Sequence, residues 1–257
     1  GRAPAMRSHV DRILCVLPFE VEELRRLEGP AGIYVGHRLV TDPGVERAAA
    51  LQAARSLPVD GEERTLLVLP GSRRGEVRRL LEPFGETLAI LRQRGHRLKL
   101  LLPTVPHVAE MVRSGVSGWE QKPEILFTPE EKWTAFGNAD AALIASGTVS
   151  LELALSGVPM ASCYRFDRVA RMATGLITVW SAALPNLIAD KPLVPEFYDQ
   201  FVRPKTIARY LEGLLADTPL RRWQVDGFAE IRGRMRTERP SGEIAAGAVL
   251  ELIRKRP

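Results

Sequence analysis

Short apolar segments alternate with longer amphipathic segments along most of the chain. Runs such as Thr65–Pro70 and Ala141–Ser146 are continuously apolar, as strands covered on both faces are, whereas Arg78–Arg94 repeats apolar residues at helical spacing. Parallel strands need a crossover between them, which is usually a helix. The pattern therefore predicts an α/β fold, a Rossmann-like parallel sheet flanked by helices.

The same pattern places individual elements. Pro83 and Gly85 fall near the start of the longest predicted helix and predict an irregular first turn. Strands are predicted at Arg12–Leu17, Gly32–Gly36, Thr65–Pro70, Arg97–Pro103, Glu124–Thr128, Ala141–Ser146 and Pro159–Arg165. Helices are predicted at Phe19–Glu28, Arg47–Leu57, Arg78–Arg94, His107–Arg113, Glu130–Asn138, Thr148–Leu155 and Val169–Ser181, with a helical tail at Ser241–Pro257.

The amino-acid composition limits the classes of ligand and partner that the chain is expected to bind. The 257 residues include 36 Lys and Arg against 31 Asp and Glu, a formal net charge of +5 that favours anionic small molecules. The basic residues are dispersed and not interleaved with aromatics, so no nucleic acid partner is predicted. Two distant cysteines, Cys15 and Cys163, predict a reduced, intracellular chain without a disulfide framework. The longest apolar run, Met172–Leu184, is too short to span a bilayer, so a soluble or peripheral protein is expected.

Two strand ends carry glycine and hydroxyl residues that lead into helices. The stretch LVLPGSRRGE, Leu67 to Glu76, runs from a predicted strand into Gly71, Ser72 and Arg73. Backbone N–H groups and the positive end of a helix dipole meet at such a turn, and both favour a phosphate. The stretch is therefore a candidate phosphate site.

The second strand end is ASGTVSLE, Ala145 to Glu152. Gly147 would allow close approach of a ligand to the backbone, and Thr148 is suited to cap a helix. Glu152 would then lie one turn further along the same helix face, within reach of a hydroxyl-bearing sugar. A phosphate and a sugar side by side indicate a nucleotide.

Each stretch also has an ordinary structural interpretation. A Ser-Gly-Thr sequence before a helix is a common cap, and a Gly-Ser turn with arginines is often a solvated loop. Neither stretch has the spacing of a Walker loop or of a dinucleotide fingerprint, so ATP hydrolysis and hydride transfer lack support. His96 and His107 fall in predicted turns and are expected to be solvated, while His37 is expected to be structural.

Several motifs together resemble one family, the lipid A disaccharide synthases, which are inverting glycosyltransferases of the B type. They occur in the family's order across nearly the whole chain, with LPFE and YVGH as the upstream segments. The motifs are LPGSRRGEV (Leu69 to Val77), ADAALIASGTVSLELALSGVPM (Ala139 to Met160), YR (Tyr164 and Arg165), LPNLIA (Leu184 to Ala189) and VPEFYDQ (Val194 to Gln200). VPEFYDQ departs from the family's usual form by one residue, which leaves the role of Gln200 open.

The resemblance implies a domain plan and a donor site. Residues 1–36 would be the last part of an acceptor domain, residues 37–240 the C-terminal, nucleotide-sugar donor-binding domain of a B-type glycosyltransferase, and residues 241–257 a C-terminal helix. The donor-binding residues implied are Gly71, Ser72, Arg73, Ser146, Gly147, Thr148, Glu152 and Asn186. Among them Arg73 would be catalytic through stabilisation of the leaving group, and Glu152 would hydrogen-bond the uridine ribose. No metal site and no cofactor are expected.

The resemblance also implies the reaction and its setting. The donor would be UDP-2,3-diacylglucosamine and the acceptor 2,3-diacylglucosamine 1-phosphate, joined into the β-1,6 lipid A disaccharide with release of UDP. The family implies a possible homodimer and peripheral contact with the cytoplasmic face of the bacterial inner membrane. The general base belongs to the family's acceptor domain, so this chain is expected to be N-terminally truncated, with little or no transferase activity.

Two alternatives remain open at this point. The chain could belong to another UDP-sugar enzyme of the B type, a different transferase or a 2-epimerase. It could also be a non-catalytic module that binds a nucleotide or an anionic lipid. The segment from Phe166 to Ala183 fits either core packing or an interfacial helix, with core packing or a subunit contact favoured by its periodicity.

Overall fold

The computed structural model describes residues 2–59, 61–167 and 179–255. Most of the helix predicted at Val169–Ser181 lies outside the described residues. The strands are β1 Arg12–Cys15, β2 Ala31–Tyr34, β3 Arg64–Leu69, β4 Leu98–Pro103, β5 Glu124–Leu126, β6 Ala141–Ala145, β7 Met160–Tyr164 and β8 Glu196–Tyr198. The α-helices are α1 Arg2–Ala5, α2 Glu20–Arg26, α3 Pro43–Ala54, α4 Arg74–Gln93, α5 Ala109–Val116, α6 Pro129–Asn138, α7 Val149–Ser156, α8 Leu184–Ala189, α9 Pro204–Leu215, α10 Pro219–Met235 and α11 Ser241–Lys255.

Six strands form one parallel sheet in the order β5-β4-β3-β6-β7-β8. The chain lays down β3, β4 and β5 in one direction from the middle of the sheet and then returns to add β6, β7 and β8 on the other side. Strand order thus reverses between β3 and β6, which is the topological switch point of a doubly wound sheet. Ligands of such sheets bind in the crevice outside the carboxyl ends of the strands at that point.

The sheet separates two apolar layers. Alternate residues of β3 enter opposite layers, because Leu66 and Val68 pack with α4, α5 and α9, whereas Leu67 and Leu69 pack with α3, α6, α7 and α10. Both faces of the strand are therefore covered. This arrangement explains the continuously apolar runs in the sequence, and it confirms the predicted α/β class with a Rossmann-like parallel sheet flanked by helices.

A second, two-stranded parallel sheet pairs β1 with β2. Its contacts to the end of the chain include a hydrogen bond from the Tyr34 hydroxyl to the Met235 carbonyl at 3.0 Å and an ion pair of Arg12 with Glu251 in α11 at 3.4 Å. The His37 ring caps the short helical turn after β2 by accepting from the Leu39 N–H at 3.2 Å. The division at residues 36 and 240 stays a prediction, although the two-stranded and six-stranded sheets do lie on either side of residue 37.

The longest helix differs from its prediction. α4 begins at Arg74 rather than Arg78 and continues regularly through Pro83. Proline has no N–H, so the carbonyl four residues earlier, that of Arg79, lacks its usual helical donor. The Arg165 guanidinium donates to this carbonyl instead, at 3.4 Å. A side chain at the end of β7 thus compensates locally for the proline.

The strand β8 was missed because it lies inside a motif that was interpreted for its chemistry. Glu196–Tyr198 is short, and Val194 to Gln200 has neither alternation nor a long apolar run. The strand exists because β7 offers a free edge, on which Cys163 lies opposite Phe197. The sheet edge, rather than the sequence pattern, determines this element.

Candidate functional site

The two predicted phosphate stretches meet at the switch point of the sheet. Leu69 of β3 lies opposite Ile144 of β6, so the loops that follow these strands emerge side by side. We call residues 71–73 the first loop and residues 146–148 the second loop. A Cβ built on Gly71 would lie 3.4 Å from the Ala145 Cβ, just before the second loop. Two stretches far apart in the sequence therefore border one crevice.

The first loop is closed by a carboxylate of its own helix. Glu76 is buried, and its Oε2 accepts from the N–H groups of Ser72 at 3.2 Å and Arg73 at 3.3 Å. Gly71 allows this closure, since it has φ +116° and a Cβ there would lie 2.6 Å from Glu76 Oε2. Glu76 therefore holds two amides of the loop that was predicted to face a diphosphate.

The Arg73 side chain leaves this loop toward solvent. It is 81% exposed, and its Nη1 donates to Glu76 Oε1 at 2.6 Å. That hydrogen bond and the charge of Glu76 raise the pKa of Arg73, and Tyr164 at the end of β7 adds to the effect. The guanidinium is thus a permanent cation at the mouth of the crevice. It is tethered at one nitrogen and accessible at the others.

His107 supports the first loop from the neighbouring β4 side. Its Nε2 donates to the Ser72 carbonyl at 2.7 Å, although the ring is largely exposed. The exposure of His107 agrees with the expectation that it is solvated, but its bond to Ser72 was not predicted. His96 contacts Glu212 Oε1 at 3.2 Å. Sequence reasoning missed His107 because its partner lies 35 residues away. No local pattern connects the two.

The second loop is open. Gly147 and Thr148 are exposed, and Thr148 occupies the N-cap position of α7 without a side-chain capping bond, contrary to the predicted cap. Inside the loop, the Ser146 N–H donates to the Cys163 carbonyl at 2.8 Å, and the Ser150 hydroxyl donates to the Gly147 carbonyl at 2.7 Å. The positive end of the α7 dipole therefore faces the crevice without a carboxylate partner on its cap.

Glu152 lies one turn into α7, as predicted. Its carboxylate is half-buried and ion-paired with Lys132 of α6, whose Nζ lies 3.1 and 3.2 Å from the two oxygens. Lys132 Nζ also sits 3.9 Å from the centre of the Trp133 ring. A sugar hydroxyl that bound Glu152 would have to share the carboxylate with this lysine.

Asn186 is enclosed rather than open. It is 1% exposed, and its amide both donates to the Val194 carbonyl at 2.9 Å and accepts from the Val194 N–H at 2.7 Å. The same Nδ2 lies 3.2 Å from the Ser181 hydroxyl. These bonds fasten the segment after α8 to the start of that helix. A direct contact of Asn186 with a ligand stays a prediction.

Two further arginines flank the first loop and were missed as site residues. Arg79 lies against the start of α4, since a Cβ on Gly75 would be 3.1 Å from Arg79 Nη2. Arg165 is held at the Arg79 carbonyl, as described above. The YR motif was the available signal for Arg165. The sequence did not show that Pro83 would leave a carbonyl for it.

Other site types find little support in the part of the chain that the structure describes. No cluster of three His, Cys, Asp or Glu residues is arranged for a metal ion within residues 2–59, 61–167 and 179–255. Over the same residues, no helix combines the length and apolar character needed to cross a bilayer. Cys15 and Cys163 are both buried and unpaired, and burial raises the pKa of each thiol.

Solved structures share the fold at low sequence identity. The chain is similar to Acinetobacter baumannii MurG with a TM-score of 0.52 and 16% identity, over 93% of this chain and 64% of that one. It is also similar to the N-terminal domain of Candida albicans trehalose-6-phosphate phosphatase, with a TM-score of 0.51 and 13% identity over 96% and 58% of the two chains. These likenesses confirm the predicted Rossmann-like fold and concern the fold alone.

Other relatives are much more similar to this chain in sequence than these solved structures are. The chain is 43% identical to a lipid-A-disaccharide synthase of Nitrobacter winogradskyi over 99% of its own length and 64% of the relative's. Identity to the synthase of Bradyrhizobium diazoefficiens is 42%, over 99% and 65%. For the synthase of Rhodospirillum centenum it is 38%, over 100% and 64%. The chain thus spans a little under two thirds of the length of these relatives.

A sequence model of one family covers most of the chain. The model described as lipid-A-disaccharide synthetase matches residues 1–244, which include both loops and Asn186. The relatives that are 42–43% identical to the chain are named lipid-A-disaccharide synthases. The chain belongs to the lipid-A-disaccharide synthetase family.

Proposed function

We propose that this chain is the donor-binding part of a lipid A disaccharide synthase, a hexosyltransferase. In the proposed reaction, 2,3-diacylglucosamine passes from its UDP derivative to 2,3-diacylglucosamine 1-phosphate, and UDP is released. The family and the names of the relatives support this reaction. The observation that carries the proposal is the meeting of the two loops at the switch point, with the open start of α7 beside the exposed Arg73 cation.

The diphosphate is assigned first to the second loop. The exposed backbone of Gly147 and Thr148 lies at the positive end of α7, and a phosphate there gains both hydrogen bonds and dipole stabilisation. Arg73 approaches from the first loop and completes the cradle with a charge-assisted bond. The amides of Ser72 and Arg73 would join only if Glu76 released them.

Leaving-group stabilisation is the chemical step assigned to these residues. Negative charge develops on the β-phosphate oxygens as the bond to the sugar breaks. A guanidinium and a helix N-terminus placed against those oxygens would stabilise this charge. Arg73 is therefore the proposed catalytic residue of this chain. Ser146, Gly147 and Thr148 hold the diphosphate in place.

Glu152 is assigned to the ribose. Its distance of one turn from the start of α7 suits a nucleoside whose diphosphate occupies that start. Lys132 is ion-paired with Glu152, so ribose binding would exchange this ion pair for hydrogen bonds to sugar hydroxyls. Asn186 is assigned an indirect role, because its enclosed amide fixes the segment from Ser181 to Val194.

The acceptor and the general base are assigned to the remaining third of the relatives' length. We further propose peripheral contact with lipid at the cytoplasmic face of the inner membrane, as acylated substrates require, and assembly as a homodimer. The chain alone would then bind the donor and turn it over little or not at all. Turnover of acylated donor and acceptor by the purified chain would contradict this assignment.

Calorimetric titration with UDP tests the proposal. We expect saturable binding that weakens about tenfold in Arg73→Ala, the loss of one charge-assisted bond, or about 1.4 kcal/mol. Arg74→Ala is the matched control. Arg74 is exposed and follows Arg73 directly, but among the described residues its side chain makes no hydrogen bond to the first loop. Equal binding by wild type and Arg73→Ala would remove Arg73 from the site. Absence of binding by the folded chain would contradict the donor-binding role.

Acylated donors separate the proposal from its nearest alternatives. A sugar transferase or 2-epimerase acting on unacylated UDP-sugars would bind UDP-N-acetylglucosamine as tightly as the diacylated donor. A lipid A enzyme is expected to bind the diacylated donor more tightly, because burial of each methylene contributes about 0.8 kcal/mol. Equal affinities would favour the unacylated class.

A further inference from the structure

A cavity lies at the edge of the sheet opposite the two loops. It has a volume of about 400 Å³ and opens between the end of α3, the end of α7 and the start of α10. Six of its lining residues are charged, four arginines against two aspartates: Arg55, Arg221, Arg222, Arg232, Asp217 and Asp226. The cavity lies near the start of β6, and the second loop follows the end of that strand. The five residues of β6, which rise ~3.3 Å each, separate the two. The cavity is therefore a different site from the proposed donor crevice.

Positive charge is under-compensated at the inner end of this cavity. Asp140 is fully buried and accepts from Arg55 Nη2 at 2.9 Å and from the Thr65 N–H at 2.7 Å. Among the described residues, Arg221 makes no hydrogen bond to a carboxylate, and its Nη1 donates to the main-chain carbonyls of Asp140 and Leu214. Burial lowers the pKa of Arg221 to about 10. The charges of Asp140 and Asp217 oppose this shift, and those of Arg55 and Arg64 add to it. An anion near this guanidinium would stabilise it.

A buried hydroxyl on the cavity wall also lacks a partner. Ser156, the last residue of α7, is fully buried, and its Oγ makes no hydrogen bond within the described residues. Ser156 lines the same cavity as Arg221. A buried hydroxyl without a partner costs roughly 1–3 kcal/mol. A ligand oxygen that reached this hydroxyl would relieve that cost.

The remaining walls suit an organic group. Leu57, Val225 and Phe228 are the larger apolar residues among those that line the cavity. The cavity also borders the start of α10, where the Thr218 hydroxyl accepts from the Arg221 N–H at 3.2 Å and the helix dipole is positive. Arginine forks, a free hydroxyl and an apolar wall together match a phosphate or carboxylate attached to a compact hydrophobic body.

We propose that this cavity is a second ligand site, which binds a small organic phosphomonoester independently of the donor crevice. The phosphate lies against Arg55 and Arg221 with an oxygen toward Ser156. The organic group lies against Val225 and Phe228. The site goes beyond the donor-binding function and does not depend on it.

A charge change at the mouth tests the site without removing an internal contact. Ala229 of α10 is exposed and lines the cavity, so Ala229→Glu adds a carboxylate there and Ala229→Gln is its isosteric neutral control. The probe is phenyl phosphate, titrated calorimetrically into the chain. We expect saturable binding by wild type and Ala229→Gln, and at least fivefold weaker binding by Ala229→Glu. Equal binding by the two variants, or no binding by wild type, would overturn the proposal.

Two further arms assign the binding to this cavity and define the ligand. Arg73→Ala is expected to keep phenyl phosphate binding, whereas loss in that variant but not in Ala229→Glu would place the probe in the donor crevice and overturn the proposal. Ser156→Ala is expected to weaken binding a few-fold. Inorganic phosphate is expected to bind about tenfold more weakly than phenyl phosphate, and equal affinities would overturn the role of the apolar wall.

Discussion

The two loops at the switch point have similar composition and different states. Each follows a buried parallel strand, contains a glycine and a serine, and leads into a helix. The first loop is closed by Glu76, which takes the amides of Ser72 and Arg73. The second loop leaves Gly147 and Thr148 exposed at the start of α7. One loop therefore resembles a site already filled by an internal anion, and the other resembles an open site.

The third residue of each helix explains the difference. In a capping box, the carboxylate that reaches back to the start of its own helix lies at this position. In α4 the third residue is Glu76, and in α7 it is Leu151, which is buried in the core. The next residue of α7, Glu152, faces Lys132 instead of the loop. Closure of the first loop and openness of the second are thus consequences of one position in each helix, and they can be altered separately.

The largest expected effect comes from blocking the closure of the first loop. Gly71→Ala places a Cβ 2.6 Å from Glu76 at a backbone φ of +116°, so we expect the free energy of unfolding to fall by about 3 kcal/mol. Urea denaturation measures this. Gly233→Ala, in α10 with nothing near its Cβ, serves as the control and is expected to change stability by less than about 1 kcal/mol. Similar stabilities of the two variants would mean that the closed loop is not required.

The second prediction fills the open loop. Thr148→Asp supplies a carboxylate to the start of α7, as Glu76 does for α4, so UDP affinity should fall about 30-fold, or ~2 kcal/mol. Stability should rise by about 0.5 kcal/mol, because aspartate is a good N-cap. Thr148→Asn is the neutral control, since it caps the helix without repelling phosphate. Equal UDP affinities of the Asp and Asn variants, measured calorimetrically, would show that the diphosphate does not use this loop.

A double-mutant cycle tests whether both loops hold the same ligand. Arg73→Ala and Thr148→Asp, alone and combined, should be non-additive in UDP binding by about 1 kcal/mol if the two loops contact one diphosphate. Additivity within ~0.3 kcal/mol would indicate independent sites. The cycle uses the same calorimetric titration for all four proteins. It therefore separates one cradle from two neighbouring sites.

A smaller effect is expected from weakening the internal anion. Glu76→Gln keeps the shape of the side chain and loses its charge, so the bonds from Ser72, Arg73 and the Arg73 guanidinium weaken. We expect the free energy of unfolding to fall by about 1 kcal/mol. Glu86→Gln, exposed on the same helix, is the control and should leave stability within ~0.5 kcal/mol of wild type. Equal losses in both variants would argue against closure by Glu76.

The smallest effect concerns the lysine that pairs with Glu152. Lys132→Met keeps much of the packing on Trp133 and releases the carboxylate, so UDP should bind about threefold more tightly, or ~0.6 kcal/mol. Lys191→Met breaks a comparable pair with Glu230 in α10 and is the control. The gain should disappear when Glu152→Gln is added. Unchanged affinity in Lys132→Met would separate Glu152 from the nucleotide.

The sequence predicted the secondary-structure elements better than it predicted the contacts between distant side chains. The strand runs at Thr65–Pro70 and Ala141–Ser146 agree with β3 and β6 to within a residue, because fully buried strands are recognisable by composition alone. The start of α4 was placed four residues late, because Pro83 was interpreted as a disturbance of its first turn. The proline is tolerated because Arg165, far along the chain, donates to the carbonyl that it leaves. Local patterns contain no information about such a donor.

Site residues divide in the same way. Gly71, Arg73, Gly147 and Thr148 were selected from strand-to-helix turns, and sheet topology brings their loops together. Asn186 was selected from a motif, and the structure encloses its amide. His107 was expected to be solvated and is exposed, but its bond to the first loop was not predicted. Turn chemistry is local and can be predicted, whereas the partner of a side chain depends on which elements pack nearby.

The sequence by itself determined the alternating α/β plan, the two turn chemistries and the family, since these depend on composition, spacing and short motifs. The tertiary structure alone decided that the two turns share a crevice, that Glu76 fills one of them and Lys132 holds Glu152, and that arginines gather around Asp140 at the opposite edge. The physical reason is that strand order and helix packing bring together residues far apart in the chain. Charge compensation and hydrogen bonding are then settled among those neighbours.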